Sequence, residues 1–208
     1  MKNDEKMSTK EQILEAALEL FSVRGYEATS ISQIADAVGI RKASLYSHFA
    51  GKQDILDKLI DDIIAEYEEH SIFGKAKTEP PDSLMGENGL DVETMAAMVT
   101  GQIRYSLHDP HVSKARKMLI IEQFQNEELC RLQTKQSYTD IMGYFTALFS
   151  RLQKAGVLAE ADPEIMAAQY CAPISLWMNL CDREPRREEE VMALIQKHIR
   201  QFYSLYLK

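Results

Sequence analysis

Between Ile40 and Lys52 the chain sets two cations, Arg41 and Lys42, ahead of Ser44, Tyr46, Ser47 and His48, with Leu45 and Phe49 four residues apart among them. In a helix advancing about 100° per residue, Leu45 and Phe49 mark one side. Ala43 and Ser47 then point away from it, and Ser44 and Tyr46 flank it. The result is a small, flat, hydrogen-bonding face introduced by positive charge, which suits DNA. Arg41 or Lys42 can reach guanine and Ala43 can meet a thymine methyl, while Ser44, Tyr46 and Lys52 can hold phosphates. Thr29 and Ser30, at the start of the preceding helix, offer another phosphate contact, because helix N-termini favour anions. The candidate DNA-binding set is therefore Thr29, Ser30, Arg41, Lys42, Ala43, Ser44, Tyr46, Ser47, His48 and Lys52. Other chemistry is poorly provided for. There is no serine–histidine–acid arrangement, no GxSxG and no phosphate-cradling glycine loop, so an enzyme is not expected. His108 and His111 flank Asp109-Pro110, which a helix start explains, and neither a metal nor a cofactor is expected.

The elements that must hold this face are short. Ser30 and Gln33 have capping-box spacing, and Ile31, Ile34, Ala35 and Val38 follow at helical spacing until Gly39. Two helices this short are marginal alone in water. They make sense if each buries its stripe on a third. That support is at hand: Ser8 and Glu11 open a helix with Ile13, Leu14, Ala17, Leu18 and Phe21 on one face, ended by Gly25. A fourth helix from about Lys52 presents Ile55, Leu56, Leu59, Ile60, Ile63 and Tyr67. This is helix-turn-helix logic, with a seven- or eight-residue second helix free to enter a major groove.

At these residues the chain resembles a known family. GYEATSISQIADAVGIRKASLYSHFAGKQDIL is similar to the DNA-binding domain of TetR (tetracycline-repressor-like) bacterial regulators. The likeness rests on Gly25-Tyr26, Thr29-Ser30, Ile34-Ala35, Val38-Gly39, Leu45-Tyr46, His48-Phe49 and Lys52, and covers about Thr9 to Leu59. It implies that the first three helices bind DNA, that variable helices beyond bind a small ligand, and that the last two pair into a dimer. Arg41 stands where family members often have Ser or Thr, and Ala43 where they often have Gly, so the base preference of relatives does not carry over.

The 208 residues are 45 % hydrophobic and 27 % charged, with a formal net charge of −8. A basic balance is the usual mark of a nucleic-acid binder. Here, however, nine acids face eight basic residues up to Ile60, a net −1, and the remainder carries −7. The two parts are read as having different tasks. No apolar run is long enough to span a bilayer, and the mixed charges of MKNDEKMSTKEQ are not the pattern expected of a signal peptide. Cys130, Cys171 and Cys181 lack CxxC spacing, and a cytoplasmic location with no membrane partner is expected.

Helical patterning resumes near Asp91 after a loop, Gly74 to Leu90. It runs on through helix starts at Asp109-Pro110 and Asp162-Pro163 to about Tyr206. The zone from Pro110 to about Ala155 is read as two helices. The fold expected is all-α, with about nine helices. An N-terminal helix-turn-helix DNA-binding domain (1–54) precedes a C-terminal helical ligand-binding and dimerisation bundle (55–208). Methionines and aromatics in the second part suit an adaptable apolar pocket. Met98, Gln102, Tyr105, Phe124, Met142, Phe145, Tyr170 and Trp177 are its candidate lining. The face Val191, Leu194, Ile195, His198, Ile199, Phe202 and Tyr206, with Ala167, Ala168, Cys171, Ile174 and Met178, can build an intersubunit four-helix bundle. The function expected is a ligand-responsive regulator. It would be a repressor on a palindromic double-stranded operator, a homodimer through the last two helices, released by a small lipophilic or aromatic effector. The alternative is an all-helical ligand-binding or adaptor protein that keeps the head without gene control.

Overall fold

The computed structural model describes residues 7–71, 73, 85–86 and 89–208. The N-terminal reading of Met1–Lys6 and much of the loop reading at Gly74–Leu90 lie outside the described residues. The described elements are α1 (Thr9–Arg24), α2 (Ile31–Val38), α3 (Lys42–Leu45) and α4 (Lys52–His70), then β1 (Met85–Gly86) and β2 (Gly89–Leu90). They continue with α5 (Val92–His108), α6 (Pro110–Glu122), α7 (Glu127–Thr134), α8 (Asp140–Lys154), α9 (Pro163–Arg183) and α10 (Glu188–Tyr206). A π-helical turn, Lys135–Thr139, joins α7 to α8, and a 3₁₀ turn, Pro185–Arg187, precedes α10. Taking α7, the π turn and α8 as one run, the described residues form nine helices, and the zone from Pro110 to Ala155 holds two of them, as the pattern predicts. The sequence gives no sign of β1 and β2, which pair antiparallel with Met85 opposite Leu90. Two-residue strands carry too little alternation to register as a pattern.

The helix starts follow from their caps. The Ser8 and Ser30 side chains each accept the N–H of the third helical residue, Glu11 and Gln33, whose side chains return to the cap N–H. Asp91 and Asp162 cap α5 and α9 without that return bond, each accepting two amides, Asp162 from Glu164 and Ile165 at 2.9 and 3.3 Å. Each such cap is worth about 0.5–2 kcal/mol.

The chain forms two compact units. One runs up to Glu68 and takes in Pro110–Gln133 as well; the other is Glu69–Asp109 with Thr134–Lys208. In the first, Ile13, Ala17, Leu18 and Phe21 of α1 pack with Ile34 and Ala35, with Leu45 and Phe49, and with Ile55, Leu56 and Leu59 of α4. Ala115, Met118 and Leu119 of α6 and Leu129 and Leu132 of α7 complete this core. Lys114 of α6 is held by Glu15 and Glu19 of α1, the second at 2.8 Å, and these hydrogen bonds raise the ammonium pKa. In the other unit, α5, α8, α9 and α10 enclose Met95, Phe145, Phe149, Tyr170, Ile195, Phe202 and Tyr203.

Candidate nucleic-acid interface

Leu45 is 0 % and Phe49 2 % exposed, so the side assigned to the core is in the core. Arg41, Lys42, Ala43, Ser44, Tyr46, Ser47 and His48 are all exposed. The open face deduced from two apolar positions is thus open within this chain. Its helix is shorter than expected. Only Lys42–Leu45 is α-helical, and the chain closes as a tighter turn, with the Ser47 and His48 amides bonded to the Ser44 and Leu45 carbonyls. The Ser47 hydroxyl adds a 2.6 Å bond to the same Ser44 carbonyl, the local competition by which serine shortens helices. Arg41 occupies the N-cap position and makes no side-chain cap bond. Its guanidinium therefore has no structural task in the cap. Lys42 Nζ lies 6.0 Å over the Tyr46 ring, a weak cation–π contact that tethers both along the face.

Two candidates are placed differently from the expectation. Thr29 is 1 % exposed, and its hydroxyl donates to the Gly25 carbonyl at 2.8 Å. Its side chain serves the turn between α1 and α2 rather than the outer surface. Lys52 Nζ donates to the Tyr26 and Thr29 carbonyls at 2.7 and 3.0 Å and sits 4.0 Å from the Tyr26 ring centre. An ammonium so engaged is a brace for the Gly25–Thr29 turn. Ser30 stays exposed, with its hydroxyl oxygen accepting from the Gln33 amide at 3.3 Å. Replacing Lys52 by Met should cost about 1.5–3 kcal/mol in urea unfolding, the usual range for hydrogen bonds to a charged group. The salt slope of DNA binding should stay unchanged. A slope lowered by about 0.9 would instead show that Lys52 meets a phosphate.

Sequence reasoning missed what holds this turn from the other side. Glu122 of α6, 5 % exposed, accepts the Tyr26 amide at 2.7 Å. Gly25 has φ +81°, and a Cβ there would lie 2.9 Å from the Glu122 carboxylate. Glycine is needed both for the conformation and for the approach. Burial, followed by the charges of Glu27, Asp57 and Glu122, pushes the Tyr26 phenol pKa up. That phenol also donates to Gln53 Oε1 at 3.1 Å.

The candidate ligand residues divide. Phe145 and Tyr170 are buried in the second core, and Met98, Met142 and Trp177 pack against it half-buried. Gln102 and Tyr105 lie half-buried on α5 of the same unit. Phe124 stands apart: it belongs to the first unit and is 84 % exposed. A lone aromatic after α6 has no periodic partner that could reveal its direction. His108 lies 2.8 Å from Glu188 Oε2, and no group of three potential metal ligands occurs among the described residues. No helix of the described residues is long and apolar enough to cross a membrane.

The geometry of this head has clear counterparts. Residues 13–59 match the family model of the bacterial regulatory proteins of the TetR family. The HTH-type transcriptional repressor KstR2 of Rhodococcus jostii is 38 % identical over 68 residues, 31 % of this chain and 33 % of that protein. The biofilm operon regulator IcaR of Staphylococcus aureus, an HTH-type negative transcriptional regulator, is 43 % identical over 51 residues, 24 % of this chain and 27 % of the relative. The chain thus spans about a third or less of the length of the curated relatives it matches. Across nearly the whole chain the fold is similar to that of SmeT, repressor of the Stenotrophomonas maltophilia multidrug efflux pump SmeDEF. There the TM-score is 0.64 at 20 % identity, covering 97 % of this chain and 92 % of the other. Residues 13–59 are therefore a TetR-family DNA-binding domain, set in a chain with the all-helical fold of TetR-family regulators.

Proposed function

We propose that the chain is a transcriptional repressor that binds a palindromic operator as a homodimer and is released by a small lipophilic or aromatic effector. The observation that carries this reading is the open face of Arg41 to His48 over the buried pair Leu45 and Phe49. On this reading residues 1–54 bind DNA, and 55–208 bind the effector and dimerise. Arg41 or Lys42 reads a base edge beside Ala43, and Ser30, Ser44, Tyr46, Ser47 and His48 fix the register on phosphates. The named repressors among the relatives support repression, and a structure of SmeT with triclosan supports an aromatic effector.

The face expected to build the intersubunit bundle is largely turned inward: Ala167, Val191, Ile195, Ile199 and Phe202 are buried in this unit's own core, because their stripe closes the unit itself. Support for a dimer through α9 and α10 lies in other positions. Ile165 and Leu176 are 56 % and 63 % exposed, with the exposed Ala172 between them on one side of α9, and Leu205 of α10 is 68 % exposed. Apolar side chains left open along two neighbouring helices suit a two-fold four-helix contact. The effector acts only if it prefers the conformer whose two heads no longer match the operator spacing. The test is a gel-shift titration of the DNA flanking the chain's own gene against random duplex at two salt concentrations. Preference for the flanking DNA at both is expected. Equal affinity for the two would favour the adaptor reading.

A further inference from the structure

Three phenol hydroxyls are enclosed in the core of the second unit: Tyr144 of α8, Tyr170 of α9 and Tyr203 of α10. None of them has a hydrogen-bond partner of good geometry among the described residues. Tyr144 is 5 % exposed and the other two are 0 % exposed. Their rings belong to one aromatic cluster. Tyr170 and Tyr203 are 6.0 Å apart, Phe145 lies 4.7 Å from Tyr170 and 5.1 Å from Tyr144, and Phe149 lies 5.6 Å from Tyr170. The Tyr170 and Tyr203 hydroxyls act on each other's ionisation as a hydrogen-bonded pair, raising the first and lowering the second, although the geometry between them is poor.

A buried hydroxyl without a partner forfeits its hydration and gains nothing in exchange. The chain uses phenylalanine at 145, 149 and 202 in the same cluster, so rings alone would fill the space. Even with Tyr170 and Tyr203 turned toward each other, donors from three helices stay enclosed in one aromatic cluster with too few acceptors for them. A polar atom of another molecule can supply one. That atom is uncharged. Burial is the largest influence on each phenol. Among the described residues, the side chains whose charge bears on Tyr170 and Tyr203 are their tyrosine neighbours and Cys171, itself pushed by burial up to about 12. No ammonium, guanidinium or carboxylate of the described residues is with them, and the His198 imidazole, its ring 6.0 Å from that of Tyr170, is engaged at 2.9 Å by the Tyr170 carbonyl rather than by the phenols. The remaining wall is aromatic, with the unbranched Met98 and Met142 packed against it.

We propose that Tyr144, Tyr170 and Tyr203 are the hydrogen-bonding centre of the effector site, and that it takes a neutral aromatic molecule bearing at least one hydroxyl or carbonyl oxygen. This rests on the reading that the second unit binds the effector, and it adds the polar centre and the chemical class. The rings close over the hydroxyls in this structure, so entry parts them. Binding is thereby tied to a change of conformation in the unit, which is what an effector needs.

The test uses matched probes on the full chain: 1-naphthol against naphthalene, and 4-hydroxybiphenyl against biphenyl, in thermal-shift and calorimetric titrations. An apolar pocket prefers the hydrocarbon, so a preference for the hydroxylated partner is diagnostic. For at least one pair the native chain should favour the hydroxylated compound by about tenfold, the ratio expected of one hydrogen bond. In Tyr170→Phe and Tyr203→Phe the ratio should fall to about one or below, while the unfolding midpoint without ligand rises because an orphaned group is gone. Three results would overturn the proposal. One is a hydrocarbon preference in both pairs, another is no binding of any probe up to about 1 mM, and the third is an undiminished hydroxyl preference in the Phe variants. A raised midpoint with unchanged ligand ratios would assign the hydroxyls to buried water and likewise overturn it. Operator binding of the same variants without ligand, measured by gel shift, bears on the regulator reading alone, so the two can fail separately.

Discussion

Leu45→Ala is expected to lower operator affinity by about a hundredfold or more while leaving the far-ultraviolet spectrum nearly unchanged. The reading helix has four α-helical residues and no side-chain cap at Arg41, so nothing local sustains it. It is held by Leu45, at 0 % exposure, and by Phe49, at 2 %, sunk among α1, α2 and α4. Truncating a fully buried leucine costs about 2–5 kcal/mol. In a chain of ordinary stability this frees the face from its support before it unfolds the rest. Urea unfolding should register the loss, circular dichroism should show the other helices intact, and a gel-shift titration should show the affinity gone. Retained affinity would mean that the face of α3 is not the surface that meets DNA.

The second large effect separates binding from stability. Arg41 and Lys42 are exposed, and neither is used in a cap or a salt bridge among the described residues. Replacing both by Ala should leave the unfolding free energy within about 0.5 kcal/mol of the parent. Operator affinity at low salt should fall by about 10²–10³-fold, from the loss of two cationic contacts, one of them to a base. If both met phosphates, the slope of log affinity against log salt would flatten by about 1.8. A smaller change in slope, with altered base preference, would identify the one that reads a base edge. Arg41→Ser sharpens the contrast. Serine can cap α3, so stability should rise by about 0.5–2 kcal/mol while affinity falls. Had Arg41 a structural role, the two readouts would move together.

Much of the head is legible in the residues themselves because its logic is local. Ser8 with Glu11 and Ser30 with Gln33 announce their helices three residues ahead, and the capping boxes are formed. Leu45 and Phe49 fix the buried side, and the open face follows by rotation. What escapes is long-range. Glu122 meets the Tyr26 amide across 96 positions, and Lys114 meets Glu15 across 99. No periodic pattern names a partner at such a distance. The same limit explains Thr29 and Lys52. Their types suit a phosphate, but carbonyls of the neighbouring turn reach them first. It also explains the second unit, where composition marks Tyr170 and Phe145 as aromatic candidates without placing either. Spacing cannot tell that the hydroxyls of Tyr144, Tyr170 and Tyr203 would be shut in together with no well-formed hydrogen bond. Nor does composition reveal that α6 packs on α1 in the first unit, because an amphipathic helix does not state which groove it fills.

The most direct test of the central claim is to follow backbone amide resonances of the labelled full chain as operator duplex is added. The largest shifts should fall at Lys42 to His48 and at the start of α2, with the amides of Leu158 and Phe202, deep in the second core, moving least. If the signals from Lys42 to His48 stay in place while another surface responds, the open face over Leu45 is not where this protein meets DNA.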